Sequence, residues 1–429
     1  MNRKKFNRAV CLTAVLSLCT TVLSCSDKGE ENKNSGINRV PVTTEISEVN
    51  ESGEKVIDFA LVGCLKDEYE GAVSRFNKQY EGRYEAVLRQ IQNTEMTKDF
   101  STALNMEIVS GNAPDIICVM DYSLIKNLAG KGAIADMYSL IDSESSPLAR
   151  EDFLSNLLTA NEDDGKLIAM PTRFFISTAI AKKKNVPGVS ENWTPEQMVE
   201  ALEKMPEDTL ISVGASDPVT NLFNFIYRST SRYIDYNTGE CTFNGEEFTK
   251  LIELTKELST RGDATYQYDL NVFAVDRALV YFGAVHNEKI FEEMKTGTFG
   301  DDELIFVGTP TYDGKGGGFS YDSVMSIMES SDCKEGAWLL IEEFLGDKHF
   351  ESLPVGFSPL EKNLGFKDEY LDSYMRSLTD NNFYDYDVMD IIEEEVAYYY
   401  DGVRTAQECT EIINNRISIK IAEQTWQTD

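Results

Sequence analysis

The sequence predicts an α/β fold. Three observations carry this expectation: strand-like and helical stretches alternate along the chain, the strand candidates are short and almost wholly apolar, and the intervals show helical spacing. Residues 56–62 (VIDFALV) read as a first strand, stopped by Gly63. Residues 66–80 place Ala72, Val73, Phe76 and Tyr80 on one helical face, and residues 84–91 read as the next strand. A helix over 100–110 follows and ends at Gly111-Asn112-Ala113-Pro114. Residues 115–120 (DIICVM) form an unbroken apolar run, as in a strand buried on both faces. This β-α-β-α-β order predicts a parallel sheet flanked by helices.

Later segments repeat the style. Residues 167–181 hold two strand-like runs split by Pro171. Thr194-Pro195-Glu196-Gln197 opens a helix, with Thr194 as N-cap, Pro195 in the first turn and Gln197 completing a capping box. Residues 233–243 read as a hairpin before a helix over 245–258. Strands are predicted at 278–285, 304–308 and 323–328, and amphipathic helices at 334–345 and 405–423.

Composition narrows the function. With 73 acidic and 40 basic side chains, the formal charge is −33. That surface repels phosphate backbones, so nucleic acid is not an expected partner. An apolar share of 42% is enough for packed cores and excludes wholesale disorder. Residues 1–8 carry four bases, and residues 9–23 form an apolar run of signal-peptide length. The run ends in Val22-Leu23-Ser24-Cys25, which resembles a bacterial lipobox. The resemblance implies cleavage before Cys25 and lipid on its thiol. Residues 26–55 are almost wholly polar and read as a flexible tether. The expected location is therefore extracytoplasmic, lipid-anchored to a bacterial cell membrane.

Chemistry-bearing patterns are sparse. His286 and His349 are the only histidines, and neither lies in a zinc or nucleophile motif. Ser123-Leu-Ile-Lys126 matches SxxK but reads as a helix surface. Asp235-x-Asn237-x-Gly239 has the wrong spacing for an EF-hand and reads as a hairpin turn. The run Asp313-Gly314-Lys315-Gly316-Gly317-Gly318 lacks phosphate-loop spacing and reads as a flexible crossing. No cofactor or metal is expected. Cys64, Cys118, Cys241, Cys333 and Cys409 form no CxxC pair; at most two disulfides could form, and Cys118 reads as a small buried hydrophobe.

In open α/β sheets, ligands bind beyond the carboxyl ends of the strands. Polar and aromatic residues follow several predicted strands: Lys66, Asp67, Glu68 and Tyr69; Asp121 and Tyr122; Arg173 and Phe174; His286 and Asn287. Phe319, Ser320 and Tyr321 follow the glycine run. Aromatic faces can stack on sugar rings, while carboxylates, amides and guanidinium groups hydrogen-bond hydroxyls.

Residues 104–119 (LNMEIVSGNAPDIICV) resemble family 1 extracellular solute-binding proteins of ABC importers. Phe76-Asn77, Gly132-Ala-Ile-Ala-Asp136-Met, Asp164-Gly165-Lys166-Leu-Ile-Ala-Met-Pro171, Trp193-Thr194-Pro195, Gly308-Thr-Pro310, Glu335-Gly-Ala-Trp338 and Asn415-Arg416 extend the likeness. It implies a two-lobed, type II periplasmic-binding-protein-like fold with hinge crossings and an interlobe cleft. The crossings are expected near 169–172, 307–310 and 353–358. The implied division is a signal peptide over 1–24, a lipidated tether over 25–55, lobe 1 over 56–170 and 308–352, and lobe 2 over 171–307 and 353–429.

The same resemblance implies a non-enzymatic, monomeric receptor for a sugar, most often an oligosaccharide, that delivers it to membrane permease subunits. Carried over by position, Asp67, Tyr69, Asp121 and Tyr122 belong to loops that line the sugar cleft in related binders. Arg173, Phe174, His286, Asn287 and Tyr321 complete the expected set, although His286 and Asn287 depart from an aromatic-rich stretch of some maltose binders. The alternatives are a secreted lipoprotein glycoside hydrolase with paired carboxylates, a receptor for a non-sugar solute, and a surface scaffold.

Overall fold

A computed structural model describes residues 48–91, 100–213, 217–226, 229–259, 269–346, 349 and 355–425. Cys25, the lipobox and most of the tether lie outside the described residues. The strands in chain order are β1 Lys55–Val62, β2 Tyr84–Ile91, β3 Ile116–Val119, β4 Glu162–Asp163, β5 Lys166–Leu167, β6 Met170–Pro171, β7 Phe175–Lys182, β8 Val280–Val285, β9 Leu304–Phe306, β10 Gly318–Ser320 and β11 Val324–Ile327.

They form two main sheets. The first has the order β2-β1-β3-β11-β6, and the second has the order β10-β7-β8 with β9 also on β7. The expected parallel sheet holds for β1, β2 and β3. β11 instead runs antiparallel to both β3 and β6. The second sheet is antiparallel throughout. A short β4–β5 hairpin stands apart. Pro171 ends a strand at the edge of the first sheet, where its missing N–H costs no ladder bond.

The two faces of the first sheet follow the alternation of its strands. Ile57, Phe59 and Leu61 of β1 face the helices Asp67–Gln79 and Lys334–Leu345, which contribute Phe76, Trp338 and Phe344. Ala60 and Val62 face the other way, into a larger core. That core continues into the helices Glu246–Leu258, Tyr386–Tyr400 and Ala406–Thr425 through Phe248, Ile252, Ile392 and Ile417. A third core under the second sheet holds Phe174, Ile180, Phe273, Phe306 and Tyr374. Each fully buried Phe here stabilises the fold by about 1.5–3 kcal/mol.

Local chemistry sets the element ends. Gln197 N donates to Thr194 Oγ1 (3.4 Å) and Thr194 N donates to Gln197 Oε1 (2.9 Å), closing the capping box of the helix Pro195–Glu203. At 233–243 the pairing is a single bridge, Ile234 to Cys241, rather than two full strands. Asn237 N and Thr238 N both donate to Asp235 Oδ1, so that carboxylate holds a turn. Ser123 is buried rather than surface-facing, and Lys126 Nζ pairs with Asp163 (2.9 Å).

The glycine run is a tight fit and not a flexible crossing. Gly316, Gly317 and Gly318 are buried, and a Cβ on them would collide with the Thr309 backbone, the Tyr374 hydroxyl and Asn382 respectively. β10 thus belongs to the second sheet, and the chain returns to the first sheet at 321–323, later than the expected 307–310.

Candidate functional site

Strand register brings the expected strand ends to one edge of the first sheet. Val62 lies opposite Ile91 and Val119, Val119 opposite Val324, and Val324 opposite Pro171. In the second sheet, Ser320 lies opposite Phe175, and Ile176 opposite Val285. Two crossings, 172–174 and 321–323, therefore run from that edge to one end of the second sheet. A third joins them: Phe174 N donates to Phe357 O (3.0 Å) and Phe357 N donates to Phe174 O (2.9 Å).

Arg173 ties the crossings together. Its guanidinium donates to Asp322 Oδ2 (2.7 Å) and Val355 O (3.2 Å). Phe174 is fully buried, stacked on Phe357 (5.5 Å between ring centroids) and edge-on to Phe319 (5.2 Å). Both residues fasten the crossings to one another.

Asp121, Tyr122 and Tyr321 come together at the base of the crossings. The Tyr122 ring lies 6.1 Å from Tyr321 and 5.2 Å from Phe383, which in turn lies 5.9 Å from Tyr236. Asn161 Nδ2 donates to the Tyr321 hydroxyl (2.7 Å). Asp121 caps the helix Tyr122–Gly130, its Oδ1 accepting from Ser123 N (2.9 Å) and Ser123 Oγ (2.6 Å). Asp385 caps the helix Tyr386–Tyr400 and accepts from Val388 N (3.0 Å) and the Tyr236 hydroxyl (2.8 Å). Burial, with the Asp385 carboxylate nearby, pushes Asp121 up to about 7 despite its Ser123 bonds. Burial raises Asp385 as well, against the Val388 and Tyr236 donors. Asn161 Oδ1 and Ser320 Oγ are buried with no hydrogen-bond partner among the described residues.

The other expected residues lie elsewhere. Tyr69 is a core residue: it is buried against Phe59 and Phe344, with its hydroxyl bonded to Ser323 Oγ (2.9 Å). Asp67 sits exposed in the first turn of the helix Asp67–Gln79. The His286 ring packs 4.5 Å from Phe175, beside the crossings. Asn287 caps the helix Glu288–Glu293 by accepting from Ile290 N (2.8 Å).

The sequence reading missed Asn161, Tyr236, Phe383 and Asp385. A signal for the last two existed in residues 381–387 (NNFYDYD), where aromatics flank an N-cap acid. It also missed two exposed apolar residues at the sheet edge, Leu65 (70% exposed) and Met120 (52%). The depression beside Lys183, Lys184, Asp302 and Glu303 lies at the far end of the second sheet, and its charges pair with each other. It does not compete as the site. No group of three or more metal-ligating side chains occurs among the described residues.

A site of aromatic faces, hydroxyls, amides and two carboxyls that burial raises suits a polar, uncharged solute better than an anion. The comparisons with known proteins fit a two-sheet molecule of this kind. The sugar-binding protein MalE of Xanthomonas citri has 14% identity and a TM-score of 0.58, over 87% of this chain and 98% of its own. An extracellular solute-binding protein family 1 member from Alicyclobacillus acidocaldarius has 14% identity and a TM-score of 0.54, over 86% and 98%. An ABC substrate-binding protein from Listeria monocytogenes, solved with cycloalternan, has 15% identity and a TM-score of 0.50, over 86% and 99%. At such identities the likeness assigns the fold alone, a two-lobed α/β arrangement of the type II periplasmic-binding kind. No curated protein matches the sequence significantly. The profile of bacterial extracellular solute-binding proteins matches residues 71–349, well over half of the sequence, and the chain belongs to that family.

Proposed function

We propose that the protein captures a neutral oligosaccharide between its two lobes and delivers it to an ABC permease without chemically altering it. The observation that carries this reading is the cluster at the crossings: Tyr122, Tyr321, Phe383 and Tyr236 beside the unpartnered Asn161 Oδ1 and Ser320 Oγ. Tyr122, Tyr236 and Phe383 are buried in the larger core, so a sugar reaches these rings only as the lobes part; there such rings stack on sugars, and unpartnered polar atoms gain most from a hydroxyl-rich ligand. The sugar-binding and cycloalternan-bound relatives support the same class of cargo. Lobe 1 is built on the first sheet and lobe 2 on the second, with Arg173 and Phe174 at the hinge. Contacts from both lobes form together only on closure, so binding energy shifts the population to the closed state.

Cys25, lipidated, and the tether to residue 55 would hold the receptor at the membrane. Tethering by a short flexible linker raises effective concentration at the permease to about the millimolar range. The receptor acts as a monomer, and no cofactor takes part.

Calorimetric titration with a panel of neutral oligosaccharides tests the reading. Tyr321→Phe should weaken the ligand that binds by about tenfold, roughly 1.4 kcal/mol, and Asp67→Asn should leave it unchanged. The sugar should be recovered intact. Equal losses in the two variants would contradict this placement of the cluster.

One observation favours a second reading. Asp121, raised to about 7, has the Asp385 carboxylate nearby, and a raised acid beside a second carboxylate is also the equipment of a glycoside hydrolase. Both carboxylates are already committed to helix capping, which supports the receptor. Release of reducing ends during the titration would favour the hydrolase.

A further inference from the structure

Two thiols touch beneath the strand ends that carry the site. Cys118 lies in β3 opposite Leu61, and Cys64 follows β1 just past Gly63. Their Sγ atoms are 3.7 Å apart within the core that holds Phe59, Tyr69 and Phe344. The Cys64 thiol also points at the Cys118 carbonyl (3.5 Å), and the Cys118 thiol donates to the Tyr69 hydroxyl (3.2 Å). Gln90 Nε2 donates to Cys64 O (3.0 Å) and so holds the Cys64 backbone beside β3. Backbone position and side-chain direction thus converge on one sulfur–sulfur contact. Cys241 and Cys409 are buried in the larger core, and Cys333, in the same core as the pair, sits at the start of the helix Lys334–Leu345.

We propose that Cys64 and Cys118 are a disulfide-forming pair, a modification site that staples the C-terminal ends of two neighbouring parallel strands. Bond formation shortens the contact from 3.7 Å to about 2.0 Å, a change within reach of side-chain rotation. The oxidant is a disulfide of the extracytoplasmic space, either a small molecule or an oxidoreductase. Cys64 is 7% exposed and Cys118 fully buried, so Cys64 meets it first. The Cys64 thiolate attacks one oxidant sulfur and expels the other as a thiolate, giving a mixed disulfide. The Cys118 thiolate then attacks Cys64 Sγ, forming the protein disulfide and releasing the second oxidant sulfur. Two cysteine thiols lose two protons and two electrons, and the oxidant disulfide becomes two thiols. The bond ties Cys64 to β3 at Cys118, two residues before the exposed Met120 and three before Asp121, the N-cap of the helix Tyr122–Gly130.

The full chain, extracted in detergent, is incubated with oxidised and reduced glutathione, denatured, alkylated and digested. Alkylation of Cys64 and Cys118 should fall together by roughly tenfold, with the two peptides recovered as one cross-linked species that dithiothreitol separates. Cys241, Cys333 and Cys409 should stay alkylated. Cys118→Ala should leave Cys64 as a glutathione adduct, and Cys64→Ala should leave Cys118 unmodified. The unaltered chain decides the matter if either variant fails to fold. Full alkylation of both cysteines after oxidation, or a cross-link of either one to another cysteine, would overturn the proposal.

Discussion

Glu342 shows how burial acts on one side chain far from the site. It lies on the helix Lys334–Leu345, with Oε1 accepting from Ser146 Oγ (2.8 Å) and Oε2 buried without a partner among the described residues. Burial pushes its carboxyl from 4.5 up to about 7, against donors from Ser146, Trp338 and Leu148. As pH rises through this window, the unfolded chain releases the proton first and the folded chain retains it. Stability therefore falls from about pH 4.5 to about pH 7, and the ionised group carries its full cost above that. Glu342→Gln should remove this slope, a difference on the order of 1 kcal/mol or more between pH 5 and pH 8. Urea unfolding of both proteins at the two pH values measures it. An unchanged slope would show that this carboxyl is ionised in the folded protein.

At the scale of elements, the glycine turn before β10 separates two roles that look alike in sequence. Gly314 adopts φ +68° with open space around it, whereas Gly316 packs on the Thr309 backbone. Gly314→Ala should cost about 1–2 kcal/mol, the strain of a left-handed alanine. Gly316→Ala should cost over about 3 kcal/mol, because backbone must move. Thermal midpoints rank the two, and equal losses would contradict the packing described here. The same turn marks where sequence reading stopped. β2 and the helix Lys334–Leu345 were legible to the residue because apolar periodicity is a local signal. Gly316-Gly317-Gly318 reads as flexible because the chain that crowds it, Thr309, Tyr374 and Asn382, is absent from any local window. The candidate site divides in the same way. Asp121, Tyr122 and Tyr321 were legible because each follows or joins a strand at the crossing edge. Asn161, Tyr236, Phe383 and Asp385 come from a helix end, a turn and a helix cap that only tertiary folding assembles. Tyr69 was misplaced because the residues after β1 turn at once into a helix, whose inward face buries it.

For the molecule as a whole, the three crossings decide what motion is available. One packed core holds Val62 of the first sheet and Ala181 of the second, and the described links between the sheets are short segments fastened by Arg173 and the Phe174–Phe357 pair. Rotation about such segments changes a few backbone angles and leaves both sheets intact. A ligand that moves this equilibrium from 1:99 to 99:1 must bind the closed form about 5.5 kcal/mol more tightly. In the proposed reading, stacking on the Tyr122–Tyr321–Phe383 cluster, with hydrogen bonds to Asn161 and Ser320, supplies that difference. Small-angle X-ray scattering with and without the oligosaccharide found by titration tests closure most directly. The radius of gyration should fall with the sugar, recovered intact, and stay the same with sugars that fail to bind. An unchanged radius of gyration at saturating sugar would contradict it.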